Sequence, residues 1–475
     1  MSIDSIVTMT IWERIAENGD EPIYVAIADA IAKDVDSGEL SPGAQLPTHR
    51  ELAQRLGVTV GTVTRGYAEA ERRGLVVGEV GRGTFVRGRE SLDDHGWGSP
   101  RADEAAHYID LSLSTPWVPP DGRDGRRLAA TLRAVAEAEP DLDDLLRYAP
   151  ESALERHRAA GAAWLTRLGL EVAPSRVVVT GGAQHALHVI LSSYLGPGET
   201  LLTEELTYPG LKAVTQMIGV RLRGVALDEE GLVPESLDRA CQETGARAVY
   251  CVPTLQNPTC ATMSPMRRLA IAEVARRHDL LVLEDGVHAG VTGDGLPAIA
   301  SVAPERTFYL ATLSKSVAFG LRVSFIAVPD DAVERVRAGV RATIWMAPPL
   351  MLEIATRWLA DGTAEQMARE KRDELAARHA MVREVLGQHE YRWSPGAHHI
   401  WLQLEEPWRS QEFVAVARQN RVRVAGAEAF AIGRREVPHA VRVSISGVPD
   451  RERLRRGLEL LSGIVAGRPG LCDII

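Results

Sequence analysis

Chemistry is most plainly spelled out in ATLSKSVAFGLR, residues 311–322. The amine of Lys315 can condense with an aldehyde to a Schiff base, provided its site lowers its pKa. A lone lysine is usually solvated surface, so its neighbours must carry the reading. Thr312 and Ser314 supply hydroxyls and Arg322 a fixed cation, which together are phosphate chemistry. In VVVTGGAQHAL (177–187) a β-rich run enters Gly181-Gly182-Ala183 and then a helix. Free amides at such a helix start cradle a phosphate, although a plain β-turn-α junction has the same pattern. Asp285 closes the apolar run LLVLEDG. A carboxylate there is costly unless paired, and a protonated pyridine nitrogen would suit it. A helix cap, or a metal shared with Glu284, is the alternative. Asn257 in CVPTLQNPT either donates to a phenolate oxygen or shapes the turn with Pro258. Arg442 in HAVRVSISG either clamps a carboxylate bidentately or stands in solvent on an edge strand.

These residues need a scaffold, and the sequence from residue 109 onward supplies its pattern. Helical stretches alternate with the short β-rich runs VVVTGG, TLLTEE, ARAVYCVP, LLVLEDG, TFYLATLS and VSFIAVP. That alternation predicts an α/β domain with a mostly parallel sheet, and functional residues at the ends of its strands.

The first ninety residues read differently: helix, helix, helix, hairpin. IYVAIADAIAKDVDSG has helical apolar spacing, and SPGAQLP is a loop. Thr48-His49-Arg50-Glu51 is a capping box opening ELAQRLG, and Thr59 caps VGTVTRGYAEAERRG. Two short helices around a Gly57 turn make a helix-turn-helix, and LVVGEVGRGTFV a hairpin with Gly81-Arg82-Gly83 at its tip. The second helix would present Thr59, Val60, Gly61, Thr62, Thr64 and Arg65 to a major groove. Arg50 would hold a phosphate, and Arg82 would enter a minor groove. A structural three-helix module with solvated arginines has the same spacing.

Charge supports the DNA reading by its distribution rather than its sum. The whole chain is at −10, yet residues 41–89 hold eight arginines against four glutamates. At 475 residues the chain needs at least two domains. No apolar run approaches the ~20 residues of a membrane span, and the N-terminus lacks a signal-peptide start. The cysteines Cys241, Cys251, Cys260 and Cys472 show no metal-ligand spacing, so the expectation is a cytoplasmic protein without a metal or a membrane partner. The boundaries expected are 1–88 for the DNA-binding part, 89–108 for a Gly/Ser/Asp-rich linker, and 109–475 for the large domain. Its smaller C-terminal part would start at about 335.

LPTHRELAQRLGVTVGTVTRGYAEAERRGLVVGEVGRGTFV resembles the GntR-type winged helix along its length. The order and spacing of the lysine, aspartate, asparagine and arginine motifs resemble the fold-type I aminotransferases. Together they resemble the MocR/GabR group of GntR-family regulators. The resemblance implies pyridoxal 5'-phosphate as cofactor, with Lys315 as its Schiff-base lysine and Asp285 on the pyridine nitrogen. It implies Asn257 on the ring hydroxyl oxygen and Tyr208 stacked on the ring. It places Ala183, Gln184, Thr312, Ser314 and Arg322 on the phosphate, and Arg442 on a substrate or effector carboxylate. Tyr148 would reach a phosphate across a homodimer.

The departures from that pattern are specific. Val60 stands where the family has an arginine, which removes a guanine contact. Val287 and His288 stand where a tyrosine is expected. His288 either replaces it at the ring oxygen or is an unrelated loop histidine. Cys260 and Ser324 stand where glycines are expected, and no glycine follows Tyr148-Ala149-Pro150. These changes leave cofactor binding in place and argue against efficient turnover. The reading is a pyridoxal-phosphate-dependent transcriptional regulator that binds a double-stranded DNA operator. It would sense the cofactor or a small amino compound held at Lys315, with at most a residual transaminase half-reaction. The alternative is a genuine aminotransferase carrying a DNA-binding domain.

Overall fold

The computed structural model describes residues 22–36, 40, 44–72, 75–79, 83–86, 108–138, 142–148, 154–292, 295–433 and 437–467. The chain divides into two compact units, Met1–Gly98 and Ser99–Ile475. Arg82 and the expected linker lie outside the described residues.

Among the described residues of the first unit the helices are Ile23–Asp36, His49–Leu56 and Val60–Arg72. The middle helix starts on the expected capping box: Thr48 N donates to Glu51 Oε2 at 2.9 Å and Glu51 N to Thr48 Oγ1 at 3.3 Å. It ends at Gly57, whose φ of +64° is the left-handed conformation that glycine adopts without strain. Ile27, Ile31, Leu52, Leu56, Val63 and Tyr67 form the core. Gly66 lets the first and third helices close up, since a Cβ there would lie 2.9 Å from Ile27 Cβ. The hairpin strands are Val76–Glu79 and Gly83–Val86. The segment expected to be a loop contributes a two-residue strand, Gln45–Leu46, paired antiparallel with Gly83–Val86. Two residues are too few for a periodicity to show, so only the third strand's edge reveals them.

The second unit is built on a seven-stranded sheet. Its order is Val177–Thr180, Ser324–Ala327, Thr307–Thr312, Leu281–Asp285, Ala248–Cys251, Thr200–Glu204, Arg221–Val225. All neighbours pair parallel except at Ser324–Ala327, which is antiparallel to both sides. The expected mostly parallel α/β architecture is therefore present, with one antiparallel strand inserted. The six β-rich runs are six of these strands. The seventh, Arg221–Val225, alternates exposed arginines with half-buried residues at a sheet edge, which hid it among polar text. Apolar clusters pack on the sheet through Leu187, Ile190 and Phe308 in one case and through Trp164, Phe325 and Trp358 in another.

A smaller four-stranded antiparallel sheet runs Tyr391–Arg392, His399–Gln403, Ala440–Ser444, Ala425–Gly426. Helices Thr363–Leu386 and Arg451–Ala466 share its core, and so does Leu111, which follows the strand Ile109–Asp110. Ile109–Asp110 pairs with Val422–Arg423, so the chain entering this unit is anchored to its C-terminal part. Residues 112–115 follow directly, and their carbonyls reach the site described next.

Candidate functional site

Strand register gathers the expected residues. Thr180 pairs with Ser324, Ser324 with Thr312, and Leu310 with Asp285. The ends of three strands and the start of a fourth thus lie at one rim of the sheet, where ligands of α/β proteins bind.

At that rim Gly182, with φ +98°, leads into the helix Ala183–Tyr194, which has no side-chain cap. A Cβ on Gly182 would lie 2.7 Å from the Arg322 guanidinium, so the glycine makes room for that cation beside the open helix start. Arg322 itself takes a left-handed backbone, and one guanidinium nitrogen donates to Gly181 O at 3.4 Å. Thr312 Oγ1 donates to Ser314 Oγ at 2.9 Å and accepts from Ser314 N at 3.1 Å. Gln184 is the second residue of that open helix start; its side-chain amide donates to Gly210 O at 2.8 Å, and its Oε1 is buried without a partner among the described residues.

Asp285 is buried at its strand end, where Oδ2 accepts from Tyr250 Oη at 2.6 Å and Oδ1 from Val287 N at 3.0 Å. Burial raises its pKa, opposed by the Tyr250 hydrogen bond. Glu284 alternates to the other face. There it accepts from Ile299 N and Ala300 N at 3.1 and 2.9 Å, with Arg268 at 3.6 Å. Its partners are backbone amides and a guanidinium, and they account for its place in the strand without a metal.

Lys315 is half-buried and its Nζ donates to Ser114 O. Burial, and then Arg442, push its pKa down to about 8 against the pull of Asp285. Tyr208 is half-buried, and burial raises its pKa. Arg442 is neither at an edge nor in solvent. It sits mid-strand with a neighbour on each side, donating to Asn257 Oδ1 at 2.9 Å and to Ser112 O. Asn257 therefore spends its acceptor on Arg442 and keeps its amide NH₂ as donor. Tyr148 does not join this group: it is 73% exposed, with its ring 5.0 Å from Trp345.

His288 is buried at 3% exposure, and its Nδ1 has no hydrogen-bond partner among the described residues. Burial, Lys315 and Arg442 push its pKa down to about 3. Two further histidines were missed by motif reasoning. His398 and His399 are each 1% exposed, and their rings lie 5.7 and 6.3 Å from His288. Both ring nitrogens of His398 lack a hydrogen-bond partner among the described residues, and His399 has only a marginal one, the backbone carbonyl of Pro258. A buried polar group left unpaired costs ~1–3 kcal/mol. The adjacent pair His398-His399 opening the apolar run IWL was the available signal. Cys260, at the expected glycine, has φ +62°, and its thiol donates to His399 O at 3.3 Å.

On the first unit, Arg50, Thr59, Val60, Gly61, Thr64 and Arg65 are exposed and Thr62 is half-buried. Val60, Gly61, Thr64 and Arg65 share one helical face, opposite buried Val63, Gly66 and Tyr67. Thr59 Oγ1 accepts from Thr62 N at 3.2 Å, as a cap does. Thr64 Oγ1 donates to Val60 O at 2.9 Å and meets His49 Nδ1 at 3.1 Å. His49 was not anticipated; it braces this face from the preceding helix.

The family model described as bacterial regulatory proteins of the gntR family matches residues 23–86. The model for aminotransferase class I and II matches residues 121–461. The chain is 29% identical to the HTH-type transcriptional regulator YdeF of Bacillus subtilis, covering 95% of this chain and 96% of that one. It is 26% identical to the vitamin B6 salvage pathway transcriptional repressor PtsJ of Salmonella typhimurium, covering 90% and 95%. Among solved structures, an archaeal alanine:glyoxylate aminotransferase superposes with a TM-score of 0.69 at 23% identity, over 84% of this chain and 99% of that chain. That likeness shows the fold, one whose members generally depend on pyridoxal phosphate. Among the described residues no helix is long and apolar enough to cross a membrane. The chain belongs to the aminotransferase class I and II family and carries, ahead of that domain, a GntR-type helix-turn-helix.

Proposed function

We propose that this protein is a cytoplasmic, homodimeric transcriptional regulator that binds pyridoxal phosphate at Lys315 and operator DNA through the helix Val60–Arg72. The observation that carries it is one rim holding three complementary features in a chain that also has a GntR-type unit. These features are an open helix start at Gly182-Ala183 beside Arg322, the amine of Lys315 with its depressed pKa, and the buried carboxylate of Asp285. They fit a phosphate, an aldehyde and a pyridine nitrogen respectively. When bound, the cofactor would supply an electrophilic carbon for amines, with Lys315 as the amine this chain places there. Thr312, Ser314 and Arg322 would hold its phosphate, Asp285 would keep a proton on its ring nitrogen, and Tyr208 would serve the ring. Asn257 donates to its hydroxyl oxygen from the amide that Arg442 leaves over. Arg442 holds the carboxylate of the incoming amino compound. Tyr148, exposed in one chain, is free to serve the partner's phosphate. Residues 1–88, 89–108 and 109–475 then act as reader, linker and sensor.

Binding couples to DNA only if ligand favours one arrangement of the dimer over another. A mobility-shift titration tests this, using the DNA upstream of the protein's own gene. Wild type is expected to gain a visible absorbance with pyridoxal phosphate and to change its DNA affinity several-fold. Lys315→Ala should lose the borohydride-fixable attachment and the change in affinity together. Arg65→Ala should weaken DNA binding and reduce its salt dependence by about one counterion. DNA affinity indifferent both to cofactor and to Lys315→Ala would overturn the regulator reading, and rapid multiple-turnover transamination would replace it with an enzyme.

A further inference from the structure

We propose that His288, His398 and His399 line the far end of the effector pocket and select an amino compound bearing a second acid group. The proposal rests on the cofactor reading above and adds the chemical class of the effector.

The argument starts from polar atoms that the cofactor does not use. Its phosphate has Gly182-Ala183, Thr312, Ser314 and Arg322; its ring nitrogen has Asp285; its hydroxyl oxygen has Asn257 or His288. Both ring nitrogens of His398 and at least one of His399 remain, buried and without a hydrogen-bond partner among the described residues. Register shows where they are. His399 pairs with Ser444, and Trp401 with Arg442, on adjacent antiparallel strands. Residues paired or two apart share a face, so His399, Arg442 and Ser444 lie on one side of the small sheet. Arg442 Nε and Ser444 Oγ are unpartnered there as well. Arg442 Nε, Ser444 Oγ and a nitrogen of His399 on this face, and both nitrogens of His398 near His288, are therefore left unsatisfied, and a strong acceptor would satisfy several at once.

Charge decides which acceptor. The groups acting on His398 are His288, Lys315, His399 and Lys371, and those acting on His399 include Arg442, His288 and Lys315. Lys315, Lys371 and Arg442 are the cations among them, the imidazoles are held neutral by burial, and no carboxylate is among the groups acting on either ring. A neutral hydroxyl or amide would fill the space but leave this field uncompensated. A carboxylate compensates it and accepts imidazole N–H bonds in a water-poor site. Arg442 takes the first acid group of the ligand and the histidines the second.

The test uses the full-length dimer loaded with pyridoxal phosphate, following the cofactor's visible band. L-aspartate, L-glutamate and L-2-aminoadipate are titrated against L-asparagine and L-glutamine. At least one acid should bind about tenfold or more tightly than its isosteric amide, the worth of one charge-assisted hydrogen bond. In His398→Leu and in His399→Phe that ratio should fall towards one. The ratio is internal to each protein, so a general loss of affinity does not mimic it. Equal binding of acid and amide by wild type overturns the proposal even if a variant does not fold. A ratio that survives both substitutions also overturns it, while the cofactor reading stands. A wild type that never develops the band overturns the cofactor reading, and this proposal with it.

Discussion

The exposed face of the helix Val60–Arg72 and the pocket around Lys315 handle their polar groups in opposite ways. On the helix, Thr59 satisfies Thr62, Thr64 satisfies Val60, and the arginine stays in water. Among the described residues of this helix no buried side-chain polar atom is left without a hydrogen-bond partner. Around Lys315, imidazole nitrogens, the Arg442 Nε and the Ser444 Oγ are buried without partners among the described residues. Those unpaired groups cost stability, and their chemistry describes what a ligand would supply. A surface reader can thus lose its scaffold or its contacts separately, whereas the pocket's stability and its ligand are one problem.

The largest effect is expected from breaking the reader while leaving the sensor alone. Leu52 is fully buried in a core that the first unit does not share with the sheet clusters of the second. Leu52→Ala should cost ~2–5 kcal/mol, much of the stability available to so small a unit. DNA binding should disappear while the cofactor band develops as in wild type. Loss of both signals together would show that the two units fold as one.

A second prediction sharpens the pocket's side. Lys315 has its pKa lowered from 10.5 to about 8. The neutral amine is the nucleophile, so attachment of pyridoxal phosphate should accelerate with pH and level off above about 8. At pH 7 this leaves roughly two orders of magnitude more neutral amine than an ordinary lysine has. Linkage has the matching sign. Between the two pKa values the unfolded chain binds more protons, so stability rises with pH there, and the burial penalty is present in full below about 8. Initial rates trapped with borohydride between pH 6.5 and 10 check it; a rate still climbing at pH 10 would refute the depressed amine.

The sequence disclosed these regions unequally. The helix-turn-helix was legible almost to the residue, because capping boxes and helical apolar spacing are local signals: Thr48, Glu51 and Gly57 act where they stand. Six strands of the large sheet were legible for the same reason. The lysine, aspartate and arginine motifs could be found, but their partners could not. Ser112 and Ser114 come from the first residues of the large unit, and Arg442, more than three hundred residues on, donates to one of their carbonyls. Tyr250 meets Asp285 only through strand pairing. The histidine pair lay in plain text, yet its meaning depends on the absence of nearby acceptors, which no spacing rule reports.

The smallest effect comes from one backbone shape used in both regions. Gly57 and Cys260 have nearly the same φ, +64° and +62°. At Gly57 a Cβ would meet nothing within 4 Å, so Gly57→Ala should cost only the left-handed penalty, ~1 kcal/mol. At Cys260 a side chain already bears that penalty. Cys260→Gly removes it, about 1–2 kcal/mol, but empties a buried thiol site and adds ~0.5–1 kcal/mol of unfolded-chain entropy. The opposing terms should leave stability within about 1 kcal/mol of wild type. The ligand readout should move more than the melting temperature, because the thiol donates to the carbonyl of His399, at the start of the strand that carries that imidazole. Thermal melts of both variants beside acid-versus-amide titrations of Cys260→Gly separate the two. A substitution that stabilises by ~2 kcal/mol and leaves selectivity untouched would mean the cysteine serves neither the pocket nor the fold.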